Sequence, residues 1–217
     1  MSPLQGFFNS SIARKFWMAI TGIFLVTFLV VHLSINLTLF VSAELFNDAS
    51  HFMATNPVIQ VMQYVLAAGF LGHIIMGIKL TLQNKAARPI RYAHENAAAS
   101  STWSSRNMIY SGVLVLVFLV IHMRHFFYEL KFTDNVTDDY VLVTSIFQVW
   151  YYTAFYVLAF IGLGVHLNHG FQSAFQSVGW KNSKWKGLMQ TIGTAYSVLM
   201  TVGFSSVAIY FFLNPAQ

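Results

Sequence analysis

Long apolar runs separated by short polar segments dominate the chain, with little of the alternation that marks strands. A bilayer core takes about 20 apolar residues of helix. Five runs reach that length: Phe16–Phe40, Pro57–Ile78, Asn107–Tyr128, Tyr140–Gly170 and Leu188–Leu213. They predict an all-α fold, an integral membrane bundle of five transmembrane helices forming a single membrane domain over 1–217. The fourth run exceeds a simple crossing, so a tilted helix or one reaching into the headgroups is expected. Glycines within the runs (Gly22, Gly69, Gly72, Gly77, Gly112, Gly162, Gly164) favour close approach of helices or of a flat cofactor. The first run lacks an Ala-x-Ala-like cleavage signal and outlasts a signal-peptide core, so it reads as a retained helix.

Composition agrees with a lipid environment. Of 217 residues 56% are hydrophobic and 9% charged, whereas a soluble domain carries about a quarter charged. There is no cysteine, which excludes disulfides, thiolate metal sites, iron–sulfur clusters held by this chain and covalently attached c-type haem. The net charge of +5 does not point to nucleic acid, because the basic residues cluster in loops between apolar runs. Arg14 and Lys15 precede the first run. Lys79, Lys85, Arg88, Arg91 and Arg106 separate the second and third, and Lys181, Lys184 and Lys186 the fourth and fifth. The opposite side carries Arg124 and Lys131 among Glu44, Asp48, Glu129, Asp134, Asp138 and Asp139. The positive-inside rule then places the N-terminus in the cytoplasm and the C-terminus outside. Mid-membrane carboxylates and lysines, the usual marks of pumps and proton-coupled transporters, are missing.

The intramembrane polar residues are mostly histidines. His32, His73, His122 and His166 fall one to each of the first four runs, while His51 and His94 lie in loops. At about 1.5 Å per residue, His32 lies ~24 Å and His122 ~21 Å from the cytoplasmic end, and His73 ~9 Å and His166 ~8 Å. Two helices thus contribute to an inner level and two to an outer level. Facing imidazoles can take both axial positions of one planar haem, so the pattern predicts two stacked haems b. Histidines that merely hydrogen-bond between helices are the plain alternative. Zinc is a weaker rival, since it usually takes four ligands.

His122-x-x-His125 and His166-x-x-His169 each put two imidazoles on one helix face. His122 and His166, each following an apolar stretch, are taken as the ligands. His125 and His169 read as polar neighbours or propionate contacts. Gly22 precedes His32 by ten residues and Gly112 precedes His122 by ten, which places each glycine near the inner level, where a missing side chain leaves room for a macrocycle edge. The same spacing hints that the first two runs and the next two are a divergent repeat.

Four segments carry a family resemblance: Lys15-Phe-Trp-Met-Ala-Ile-Thr-Gly22 through His32, Leu82-Gln-Asn84 with Ala87-Arg-Pro89, Phe118-Leu-Val-Ile-His122, and His166-Leu-Asn-His-Gly-Phe-Gln172. Over nearly the whole chain it resembles the di-haem cytochrome b membrane-anchor subunit of succinate:quinone oxidoreductases, the succinate dehydrogenase and fumarate reductase family. The resemblance implies that His32 and His122 ligate the outer haem iron, and His73 and His166 the inner. It implies a bacterial inner-membrane complex with a flavoprotein subunit and an iron–sulfur subunit on the cytoplasmic face. Electrons would pass through both haems to or from a membrane quinone, menaquinone above all, in a quinone-reactive subunit that does not itself act on succinate. A di-haem cytochrome b of another dehydrogenase, of the hydrogenase or formate dehydrogenase type, is the alternative. A haem-free scaffold or transporter is a different class again.

Further candidates follow from position. Lys79, Arg88, Arg91, Arg106 and Trp103 lie where inner propionates would need charge or an indole N–H. Two haems at different depths are needed only if electrons cross the membrane, so the quinone site is expected beyond His32 and His122. Glu44 is the candidate proton-handling group there, and Arg124 and Tyr128 candidates to orient the ring or hold a propionate.

Overall fold

The computed structural model describes residues 10–86, 106–180 and 183–215. Ser10 opens the first helix in extended conformation, its hydroxyl accepting from the Ala13 N–H at 3.1 Å, a standard N-cap. Helix α1 (Ser11–Leu37) runs into a 3₁₀ turn at Thr38–Phe40. Ser42 caps a short helix α2 (Ala43–Thr55) in the same way. Asn56 is extended (ψ 123°), as the residue before a proline must be, and Pro57 opens α3 (Pro57–Ala86) at the position that suits its missing N–H. The remaining helices are α4 (Met108–Phe132), α5 (Asp139–Gln148), α6 (Trp150–Ser177) and α7 (Lys186–Leu213). Within α4, Met123–Phe127 form a π turn. Gly179, with φ +84°, ends the turn after α6, where the Trp180 N–H reaches back to the Phe175 carbonyl at 2.9 Å; a left-handed residue favours glycine here.

All regular structure among the described residues is helical, and five helical segments are long and apolar enough to cross a membrane: 12–40, α3, α4, α6 and α7. Two expectations need correction. The fourth run is not one long tilted helix over Tyr140–Gly170. It divides at Val149 (ψ 113°) into α5 and α6, and the Thr153 hydroxyl donates to the Phe147 carbonyl at 2.5 Å across the break. No glycine or proline marks that break, and both sides are apolar, so hydropathy passes over it. The segment after the first span is also not plain loop, because it holds α2.

Helix α6 is the centre of the bundle. Tyr156, Ala159 and Phe160 are buried on it, and Met200, Phe204, Val207 and Ala208 on α7. Small residues set the α6–α7 distance. A side chain at Gly164 would run into the Thr201 hydroxyl, which itself donates to the Phe160 and Ser197 carbonyls at 3.3 and 2.9 Å. The Tyr196 hydroxyl ties α7 to the Val26 carbonyl of α1 at 2.7 Å. At the end of the bundle away from Lys15, Lys79 and Lys186, α2 is fastened to α5. Asn47 donates to Asp138 at 3.1 Å and accepts from the Tyr140 N–H at 2.9 Å, and Ser50 donates to Asp139.

The two halves repeat. Met18, Thr21, Gly22, Phe24, Phe28 and His32 of α1 have counterparts 90 positions on in α4: Met108, Ser111, Gly112, Leu114, Phe118 and His122. Gly69, His73 and Gly77 of α3 have theirs 93 positions on in α6: Gly162, His166 and Gly170. Contacts repeat with them. A Cβ at Gly69 would meet Phe24, and one at Gly162 would meet Leu114; Gly77 faces the Met18 methyl and Gly170 the Met108 methyl, both at 3.5 Å. Phe28 lies 5.3 Å from His32 and Phe118 lies 5.5 Å from His122, ring centre to ring centre. The α1–α3 and α4–α6 pairs are thus two copies of one unit, with α7 added.

Two outcomes test this packing. Gly164→Leu overfills the α6–α7 contact, which typically costs about 1–3 kcal/mol. Gly187→Ala, at an open helical position, is neutral or stabilising by up to about 1 kcal/mol. Thermal unfolding in detergent should therefore fall for the first and hold for the second. The Asp138 carboxyl accepts from the Val141 N–H and from Asn47, which hold it below the usual carboxylate range. A depressed carboxyl stabilises above its unfolded value and loses that contribution as pH falls through the folded one. Protection of the α2 amides against hydrogen exchange, taken relative to the intrinsic rate at each pH, should therefore fall below about pH 4, and less so in Asp138→Asn.

Candidate functional site

Four helices bring one imidazole each into the bundle. The rings of His32 and His122 have centres 5.7 Å apart at 88°, and those of His73 and His166 6.4 Å apart at 73°. Each pair joins equivalent positions of the two copies, which is what a pseudo-two-fold axis between them requires, because an isologous contact sets a residue against its own counterpart. The pairs lie at two levels. Thr21 touches His73 and Ser111 touches His166. From either hydroxyl residue the helix climbs eleven residues, about 16 Å, to His32 or His122.

Hydroxyls hold the level nearer the basic end. The Thr21 hydroxyl donates to its own backbone at Trp17 and Met18 (3.0 and 3.1 Å) and lies 3.4 Å from His73 Nδ1. Ser111 donates to the Met108 carbonyl at 2.9 Å and lies 3.2 Å from His166 Nδ1. With each hydroxyl proton committed to a backbone carbonyl, the oxygen can accept from an Nδ1–H. That fixes the tautomer and leaves Nε2 with its lone pair free, the arrangement that metal-ligating histidines use. Gly22 and Gly112 face these rings: a Cβ would sit 3.5 and 3.4 Å from the Cε1 of His73 and His166. The glycines thus lie at the inner level, as expected, in ordinary contact range of the two imidazoles.

The far level is aromatic. Phe28 and Phe204 lie against His32, and Phe118, Phe126 and Tyr156 against His122. His122 Nδ1 is buried with no hydrogen-bond partner among the described residues, and an unpaired buried nitrogen costs about 1–3 kcal/mol. Two imidazoles ligating opposite sides of one metal, with bonds of about 2 Å, stand roughly 6 Å apart between ring centres. Both pairs are near that separation. No group of three or more His, Asp or Glu side chains with metal-site spacing occurs among the described residues. A two-nitrogen donor set fits a metal whose other positions are filled by a macrocycle.

The other residues singled out from the sequence are distributed as follows. Lys79 and Arg106 are exposed on α3 and at the start of α4, at the basic end, while Arg88, Arg91 and Trp103 lie outside the described residues. Arg124 forms an ion pair with Glu129 and covers the Tyr128 ring at 4.6 Å, so its guanidinium is engaged along α4. Glu44 is exposed in the first turn of α2. His125 faces Tyr156, its Nδ1 3.1 Å from the phenol oxygen. His169 lies one turn beyond His166 on α6.

Sequence reasoning missed three groups. Thr21 and Ser111 carried a usable signal, because each immediately precedes its repeat glycine. Arg14, one turn from Met18 along the same side of α1, keeps its Nε buried without a partner among the described residues; in the sequence it stands out only as a topology charge. Tyr156 was one aromatic among many. Against protein-family models, curated proteins and solved structures alike, the chain has no match.

Proposed function

We propose that this chain is the di-haem cytochrome b anchor of a succinate:quinone oxidoreductase, passing electrons between a soluble-side iron–sulfur subunit and a membrane quinone. The observation that carries the reading is the pair of cross-repeat imidazole contacts at two levels. His73 and His166 would hold the inner haem, and His32 and His122 the outer. Haem iron in such a site supplies reversible one-electron chemistry at each level.

The chain's own residues set the conditions. Thr21 and Ser111 fix which nitrogen of His73 and His166 points to the axis. Phe28, Phe118, Phe126 and Phe204 exclude water at the outer level and keep its dielectric low, which tunes redox potential. Arg14, with its unpartnered Nε, is a further candidate for an inner propionate beside Lys79 and Arg106, through a charge-assisted hydrogen bond. The basic end, with Lys15, Lys79, Lys85, Lys184 and Lys186, would face the cytoplasm and present the docking surface for the flavoprotein and iron–sulfur subunits. Quinone would react toward the opposite end.

Haem and iron analysis of the purified protein tests this. Two b-type haems per chain are expected, with one lost on replacing any of the four histidines; one or none in the parent contradicts the reading. Thr21→Val and Ser111→Ala should perturb the inner haem alone, with similar shifts of its midpoint potential because the two residues are repeat equivalents. Thr21→Ser and Ser111→Thr should restore parent values.

A further inference from the structure

The repeat exposes where the two halves differ. His125 and Tyr156 are hydrogen-bonded across α4 and α6, yet their counterparts in the first copy are Ile35 and Gln63. The neighbouring Tyr152, whose ring centre is 4.6 Å from His125, has Ile59 as its counterpart. The π turn Met123–Phe127 also falls here, directly after His122, and π turns concentrate at functional positions because they re-aim side chains. A polar pair has been added to one copy only, beside the outer imidazoles: the Tyr156 ring is 6.3 Å from His122 and 5.9 Å from His125.

Hydrogen bonding fixes what this pair offers. Tyr156 is 1% exposed, so its hydroxyl proton needs an acceptor. The partner in reach is His125 Nδ1. Nδ1 therefore accepts, and the neutral ring carries its proton on Nε2. That Nε2 has no partner among the described residues and is not buried. His125 lies beside Tyr152 of α6, next to the exposed Arg124 and three residues before Tyr128, where the third apolar run ends, and so toward the headgroup end of the span. An N–H between two membrane helices is best met by an acceptor that lipid tails do not supply. Aromatic side chains flank the His125 ring: Tyr152 on α6, with Tyr151 4.5 Å from it and half-exposed, and Phe126 on α4, 6.4 Å away.

We propose that His125, held by Tyr156, is the hydrogen-bond donor for a carbonyl oxygen of a quinone ring bound in the α4–α6 seam. The proposal rests on the function proposed above and makes His125, not Glu44, the group that touches the ring. Tyr156 is a positioning residue acting through His125. A phospholipid ester carbonyl offers the same acceptor, but the ring faces of Tyr152 and Phe126 beside the donor suit a planar partner.

Binding of 2,3-dimethyl-1,4-naphthoquinone to the full-length protein in phospholipid vesicles tests it. One lost hydrogen bond predicts a Kd about 3- to 10-fold weaker in His125→Phe. His125→Gln, which keeps an N–H donor, should stay within about threefold. Tyr156→Phe should fall between, since the tautomer is no longer set. Haem content serves as the readout that all variants are intact. His125→Phe and His125→Gln both binding as the parent does, at parental haem content, overturns the proposal. So does a parental Kd that tightens when ester-linked lipid is replaced by ether-linked lipid, because a lipid carbonyl is then the ordinary occupant. A haem-free parent that still binds the probe through His125 would instead defeat the electron-transfer reading and leave the site standing.

Discussion

A buried imidazole in a lipid-embedded bundle needs partners for its ring nitrogens, and this structure meets that need with hydroxyls at one level while leaving His122 Nδ1 without a hydrogen bond among the described residues at the other. The intramembrane histidines meet in pairs, at 5.7 and 6.4 Å between ring centres. Each pair is built from equivalent positions of a duplicated helix hairpin. Duplication solves the geometric problem economically: if one copy presents its histidine toward the axis, the other does so too, at the same depth. The small residues that recur with the histidines keep the copies close enough to meet.

The two levels are supported differently. At the level nearer the basic end, Thr21 and Ser111 accept from Nδ1 while bonding their own backbones. At the far level packing dominates, with Phe28, Phe118, Phe126, Phe204 and Tyr156 surrounding His32 and His122. The copies also diverge most in chemistry there, where His125 and Tyr156 replace an isoleucine and a glutamine. Under the proposed function, a symmetric carrier with one asymmetric polar addition would separate two tasks: holding a relay and meeting a ligand at one end of it.

Much of this was legible in the sequence, because hydropathy over about 20 residues is a strong signal and one histidine per span is unusual. The spans, the two depths and the hint of a repeat all came from residue spacing. What escaped was local. The break at Val149 lies between apolar residues, so no loss of hydropathy marks it. Helix α2 is too short and mixed to register as a span, yet Asn47, Ser50, Asp138 and Asp139 fasten it. Gly22 and Gly112 were placed at the right depth, but only the structure shows that they face His73 and His166. The partnership of His125 with Tyr156 falls in a π turn, which helical spacing of 3.6 residues does not anticipate.

The central claim is that each imidazole pair grips one metal centre. Low-temperature electron paramagnetic resonance of the oxidised, purified protein tests it most directly. Two bis-imidazole ligated centres predict two low-spin ferric haem signals, each abolished by replacing a histidine of its own pair and left by replacing one of the other. A single low-spin signal, or one signal that responds to His32 and His73 alike, would contradict the assignment of two separate pairs.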